Sequence, residues 1–284
     1  MRHHICTRHP LRRAVLGRAL VSALASVTLA CTDPQVDRAT GPIGAPSTPV
    51  PTPAPPLVAE IFLADADGTV RGRLTEGSWP SWSPDGRRIV FHRDLEVRII
   101  DSDGANERQL AAGRWPTWSP DGGRIAFVAN RALFLMNADG SSVRRLRDPT
   151  LYGSKFDDAG LLAWSPDGAL IAFEIMSYEL PPRVALVTAH GASERHLTSS
   201  WDAATLGEDS PAWSPDGSRI AFTSIGRGLM TLDLRSGATT AVLAGGEFGS
   251  RPAWSPDGRL IAFNTQQAVP SIMTIAPSGG CRAC

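Results

Sequence analysis

Lysine and tyrosine are almost missing from this 284-residue sequence: Lys155 is the only lysine, and Tyr152 and Tyr178 are the only tyrosines. Long apolar runs are missing too. The best candidate, Ala19 to Ala30, has 12 residues, short of the roughly 20 that a helix needs to cross a bilayer. No Gly-x-Ser-x-Gly elbow occurs and no α/β-hydrolase pattern follows the repeats described below, which excludes that route to serine chemistry. Cysteine is limited to Cys6, Cys31, Cys281 and Cys284. The pair Cys281-Arg282-Ala283-Cys284 has redox-like spacing, but two thiols do not complete a four-ligand zinc site, and no nearby helix pattern depresses a thiol pKa. A terminal disulfide or an unstructured tail over residues 281–284 is the reading. Of six histidines, His3, His4 and His9 lie in the first nine residues, and His92, His190 and His196 lack the spacing of a metal-binding helix. No cofactor and no metal site is expected.

What the amino terminus does contain is an export signal. Arg2, Arg8, Arg12, Arg13 and Arg18 precede the apolar run, which leads into Thr28-Leu29-Ala30-Cys31. That ending resembles a bacterial lipobox, in which cleavage exposes a cysteine that carries acyl chains; Thr28 stands where the motif prefers Leu. Residues 1–31 are therefore expected to be a signal peptide ending in a lipidation site at Cys31. Residues 32–56 hold Pro34, Pro42, Pro46, Pro49, Pro51, Pro53, Pro55 and Pro56, a semi-rigid spacer because proline removes donors and favours extended backbone. Without the first 31 residues the chain carries 23 basic against 28 acidic residues, near −5. Nucleic acid is a poor partner for such a balance.

Tryptophan, in contrast, is plentiful and repetitive. Trp-Ser-Pro-Asp-Gly recurs at Trp82, Trp118, Trp164, Trp213 and Trp254, at intervals of 36, 46, 49 and 41 residues. Each copy is followed by a short apolar strand ending in Phe91, Phe127, Phe173, Phe222 or Phe263. A second phrase, a strand closed by a tight turn, appears at Ile61, Val97, Leu133, Leu186, Met230 and Ile272. Repeats of this period mark a radial or stacked array of small sheets. In Ser-Pro-Asp-Gly the proline presets φ, the aspartate accepts a backbone N–H and the glycine takes the left-handed exit. Asp85, Asp121, Asp167, Asp216 and Asp257 are accordingly read as turn residues rather than catalytic carboxylates.

The phrase Pro-Ala-Trp-Ser-Pro-Asp-Gly-Ser-Arg-Ile-Ala-Phe at 211–222 resembles the WD40-like (PD40) β-propeller repeat of the TolB family. The likeness extends over residues 57–280. It implies an all-β, TolB-like β-propeller of five to six blades, with the first and last units incomplete. It implies no activity, because the matching residues are those that build blades.

Function is sought instead where the repeats differ in length. The expansions at 150–160, 174–183 and 199–210 fall on neighbouring units and on one face. They bring together Tyr152, Lys155, Phe156, Asp157, Asp158, Glu174, Tyr178, Glu179, Trp201, Asp202, Glu208 and Asp209 as a partner-binding rim, since loops on a rigid β scaffold are where recognition is grafted. The sequence favours a non-catalytic protein- or peptide-binding module of the cell envelope, membrane-anchored through Cys31 and facing the periplasm or the outer surface. The alternatives are a glycan-directed hydrolase or lyase, or a ligand sensor.

Overall fold

The computed structural model describes residues 59–65, 67–147, 158–176, 182–191, 193–198, 208–244, 251–265 and 271–278. Residues 1–58, with the expected export signal, Cys31 and the expected proline-rich spacer, lie outside them, as does the Cys281–Cys284 tail.

Each Trp-Ser-Pro-Asp-Gly phrase turns one strand back on the next, and the described strands form six antiparallel sheets in chain order. The first sheet has two strands, β1 (Glu60–Ala64) and β2 (Val70–Glu76). The second runs β3 (Ser78–Trp82), β4 (Arg88–Arg93), β5 (Glu96–Asp101) and β6 (Arg108–Ala112). The third runs β7 (Arg114–Trp118), β8 (Arg124–Ala129), β9 (Ala132–Asn137) and β10 (Arg144–Arg147). In the fourth are β11 (Asp158–Trp164), β12 (Leu170–Met176), β13 (Arg183–Thr188) and β14 (Glu194–His196). The fifth holds β15 (Glu208–Trp213), β16 (Arg219–Ser224), β17 (Gly228–Asp233) and β18 (Thr239–Ala244). The sixth has three strands, β19 (Ala253–Trp254), β20 (Ile261–Asn264) and β21 (Ile272–Ile275). Every sheet is a meander, each strand pairing with its neighbour in sequence, so no crossover connection is required.

The five turns are built alike. In each, the serine hydroxyl donates to the aspartate, at 2.5 Å for Ser83–Asp85, Ser119–Asp121 and Ser165–Asp167 and 2.6 Å for Ser214–Asp216 and Ser255–Asp257. The same carboxylate accepts the backbone N–H two residues on, at 3.0–3.1 Å. These bonds hold the aspartate pKa values down, the serine hydroxyl being the largest cause, and Asp216 falls to about 2. The closing glycines Gly86, Gly122, Gly168, Gly217 and Gly258 have φ of 68–71°. A Cβ on any of the last four would lie 3.5–3.8 Å from the proline of the preceding turn. The turns are thus stacked one on another.

Apolar faces also pack neighbouring sheets together. Ile61 of the first sheet packs with Ile89, Phe91 and Ile100 of the second. Val90, Val97 and Ile99 pack with Trp118, Ile125 and Phe127, and the pattern continues through Trp164 and Phe173 to Ile261 and Phe263. All five repeated phenylalanines are no more than 2% exposed. The indoles stitch the inner strands across the sheet boundaries: Trp164, Trp213 and Trp254 donate Nε1–H to the carbonyls of Thr117, Ala163 and Ala212, at 3.4, 3.0 and 3.2 Å. Each acceptor immediately precedes the repeated tryptophan of the sheet before.

Candidate functional site

The inner strands are regular where they approach their turns and irregular at their opposite ends. In β3, β7 and β15 two residues stand opposite one on the partner strand: Trp79 and Pro80 oppose Phe91, Trp115 and Pro116 oppose Phe127, and Ser210 and Pro211 oppose Phe222. This is a β-bulge. In β11 it shifts by one residue, so Gly160 and Leu161 oppose Glu174. A Cβ on Gly160 would collide with the Glu174 carboxylate, which explains the glycine.

Side-chain-bearing residues take left-handed backbone at the bulges of β3, β7 and β15 and at the matching position just before β19. Trp79, Trp115, Ser210 and Arg251 all stand three residues before a repeated tryptophan, and their φ values are 57°, 52°, 55° and 74°. Each such residue costs about 1–3 kcal/mol, and strain of this kind concentrates at binding and catalytic sites.

Three of these four residues meet. The Trp79 and Trp115 rings are 6.4 Å apart, edge to face. Arg251 places its guanidinium 4.1 Å over the Trp79 ring, and Arg114 places its own 4.1 Å over Trp115. The Arg251 contact joins the segment leading into the sixth sheet to the second sheet. His92, at the end of β4, accepts the Trp115 backbone N–H through Nδ1 at 3.3 Å. Burial, and then the charge of Arg114, push the His92 pKa below its usual value, so the imidazole is neutral and able to accept.

Beside Arg251 lies a set of unsatisfied oxygens. Asp209 and Thr223 are cross-strand partners, with Ser224 the next residue along β16. Asp209 Oδ1, Thr223 Oγ1 and Ser224 Oγ are buried with no hydrogen-bond partner among the described residues, at a cost of about 1–3 kcal/mol for each neutral group. Burial pushes the Asp209 pKa up, against smaller lowering effects of Ser210, Arg251 and Thr223. Arg251 is exposed as a residue, yet the protein around its guanidinium withholds water and pushes its pKa down. The two groups feel each other's charge without forming an ion pair within contact distance.

Tyr152, Lys155, Phe156, Asp157, Tyr178, Glu179, Trp201 and Asp202 lie outside the described residues. Asp158 and Glu208 are the first residues of β11 and β15. Glu174 and Asp209 differ from the expected rim positions. Strand pairing extends farther than the loop-length pattern suggests, so Glu174 sits inside β12 at 7% exposure and Asp209 inside β15. Among the described residues no group of three or more His, Cys, Asp or Glu converges on a metal position. The bulge cluster escaped the sequence reading. Its signal was present: the position three before the repeated tryptophan varies as Trp79, Trp115, Leu161, Ser210 and Arg251, while the phrase beside it is constant.

Residues 92–280 match the family model of the TolB β-propeller domain. The chain belongs to the TolB β-propeller family. Solved structures agree on the fold. TolB from Acinetobacter baumannii is 18% identical with a TM-score of 0.61, over 78% of this chain and 57% of that one. A structure assigned to TolB from Agrobacterium tumefaciens is 17% identical with a TM-score of 0.59, over 73% and 81%. Hydrazine synthase of Kuenenia stuttgartiensis is 17% identical with a TM-score of 0.57, over 76% and 70%. The chain spans just over half the length of the Acinetobacter TolB. No curated protein matches the sequence.

Proposed function

We propose that this TolB-family chain is a binding module of the bacterial cell envelope that receives a protein or peptide segment at the bulged ends of its inner strands. The observation that carries the reading is the concentration of unfavourable features there. Left-handed non-glycine backbone, unsatisfied buried oxygens and partly exposed aromatic and guanidinium groups occupy one end of the inner strands. Regular, fully hydrogen-bonded turns occupy the other. A scaffold that retains such strain at one end supports recognition at that end. The segments 148–157, 199–207 and 245–250 precede β11, β15 and β19 in sequence, and on that ground the proposal includes Tyr152, Lys155, Phe156, Asp157, Asp158, Trp201, Asp202 and Glu208 as further contacts. Tyr178 and Glu179, which stand between β12 and β13 in sequence, are included with them.

Export by residues 1–31, acylation of Cys31 and spacing by residues 32–56 complete the proposal and hold the module at a membrane of the envelope. The six sheets support a six-unit arrangement in which the first unit supplies two strands and the last three. Capture from envelope extract tests the reading. A partner retained by the native chain should be lost with the Tyr178→Ala, Trp201→Ala pair and with Trp79→Ala, and kept with Asp257→Asn. Equal capture by all four folded proteins refutes binding at this end. Cys31→Ser should move the protein from the membrane to the soluble fraction.

A further inference from the structure

Arg251 is held in a way that leaves it incomplete. The carbon of its guanidinium lies 4.1 Å over the Trp79 ring, a contact that uses none of the N–H groups. It makes no hydrogen bond or ion pair to any described residue, and Asp209, the acid whose charge it feels, stays beyond contact distance with its own Oδ1 buried. The backbone beneath is left-handed at φ 74°, so the position of the group is set against a local cost. Trp115 stands edge to face with Trp79 at 6.4 Å. Together the two rings form a wall beside the guanidinium.

A planar guanidinium whose N–H groups have no partner among the described residues is matched by a group with two coplanar acceptor oxygens. A carboxylate fits it through two parallel hydrogen bonds. We propose that Arg251 is the carboxylate-receiving group of the peptide site, with Trp79 and Trp115 packing against the chain that carries the acid. This rests on the peptide-binding reading above. It adds to that reading the chemistry of the residue recognised, an acidic side chain or a free carboxyl terminus.

Five-residue peptides provide the probes: acetyl-Ala-Ala-Glu-Ala-Ala-amide, its Gln counterpart, and acetyl-pentaalanine with a free carboxyl terminus. Binding is read at low salt from tryptophan fluorescence and calorimetry, alongside the indole N–H resonance of Trp79 during titration with propionate. The native chain should prefer the Glu peptide to the Gln peptide by about tenfold, a difference typical of a charge-assisted pair. Arg251→Gln should reduce that preference to under twofold and abolish the propionate response. Arg251→Lys, which keeps the charge and loses the fork, should retain only part of both. The free-terminus peptide separates the two sources, binding like the Glu peptide if a carboxyl terminus is accepted and like the Gln peptide if only side chains are. A Glu preference unchanged in Arg251→Gln overturns the assignment. Equal binding of the Glu and Gln peptides leaves peptide recognition standing and removes the carboxylate. A propionate response that depends on Arg251, without binding of any peptide, keeps the carboxylate site and removes the peptide. Thermal melting of each variant establishes that losses are not failures to fold.

Discussion

Two tryptophans that look alike in the sequence differ in what their indoles do. Trp213 donates Nε1–H to the Ala163 carbonyl at 3.0 Å, whereas Trp118 Nε1 is buried without a partner among the described residues. Trp213→Phe should therefore cost about 0.5–1.5 kcal/mol more than Trp118→Phe, the worth of one hydrogen bond, in denaturant unfolding of the two variants. Similar losses would mean that the stitch contributes nothing. His92 makes the second prediction at this scale. Its pKa lies below the usual 6.5 in the folded chain, so the folded state binds fewer protons than the unfolded state as pH falls. The associated stability is present above about pH 6.5 and is lost as pH falls through the folded value. Protonation also removes the acceptor for the Trp115 N–H. Melting temperature should fall on acidification below 6.5 in the native chain and much less in His92→Gln.

Among elements, the inner strands carry the most information and the least of it was legible. Their start, their turn and the strand that follows can be read from Trp-Ser-Pro-Asp-Gly and the terminal phenylalanine, because turn chemistry and apolar runs are local. The bulge cannot be read that way. Trp79, Trp115 and Arg251 carry no preference for left-handed backbone, and their meeting joins chain segments more than 130 residues apart. Glycines beside the bulge did carry a signal. A Cβ on Gly77 would lie 2.5 Å from Phe91 Cδ2 and 3.0 Å from the His92 carbonyl oxygen, at a φ of 144°. Gly77→Ala should destabilise the fold by about 1–3 kcal/mol or more through overpacking and backbone strain, whereas Gly237→Ala, with nothing within 4 Å, should show only the backbone part. Equal effects in chemical denaturation would remove the packing explanation. Glu174 shows the converse limit, since a carboxylate in a lengthened repeat reads as a loop residue until pairing places it inside β12.

At the scale of the whole molecule, identical turn stacking and repeated core contacts make a scaffold of nearest neighbours, in which each sheet relies mainly on the two beside it. The first sheet stands at one end of the array. It has two strands and a neighbour described on one side only, through Ile61 against Ile89 and Phe91. Its second strand is tied down by charge: Arg93 donates to the Glu76 carbonyl and to Thr75, whose hydroxyl reaches Glu107, while Glu107 also takes Arg93 and Arg98. The first strand is tied mainly to the second, with Glu60 opposite Glu76 and the Gly77 N–H bonded to the Ala59 carbonyl. Entry to β1 and exit from β2 therefore lie at the same end of the hairpin. Tension applied through the amino-terminal segment would load these ladder bonds one after another, as a zipper, rather than all at once in shear. In an optical trap pulling from the amino terminus, β1 should peel at low force, extending the chain by about 2 nm for its five residues at ~3.5 Å each, before the remaining sheets yield. A single rupture of the entire array would show that the hairpin is not the weakest joint. A molecule tethered at that end would then possess a mechanical fuse, yielding a short length of chain while the bulged ends of the inner strands stay intact.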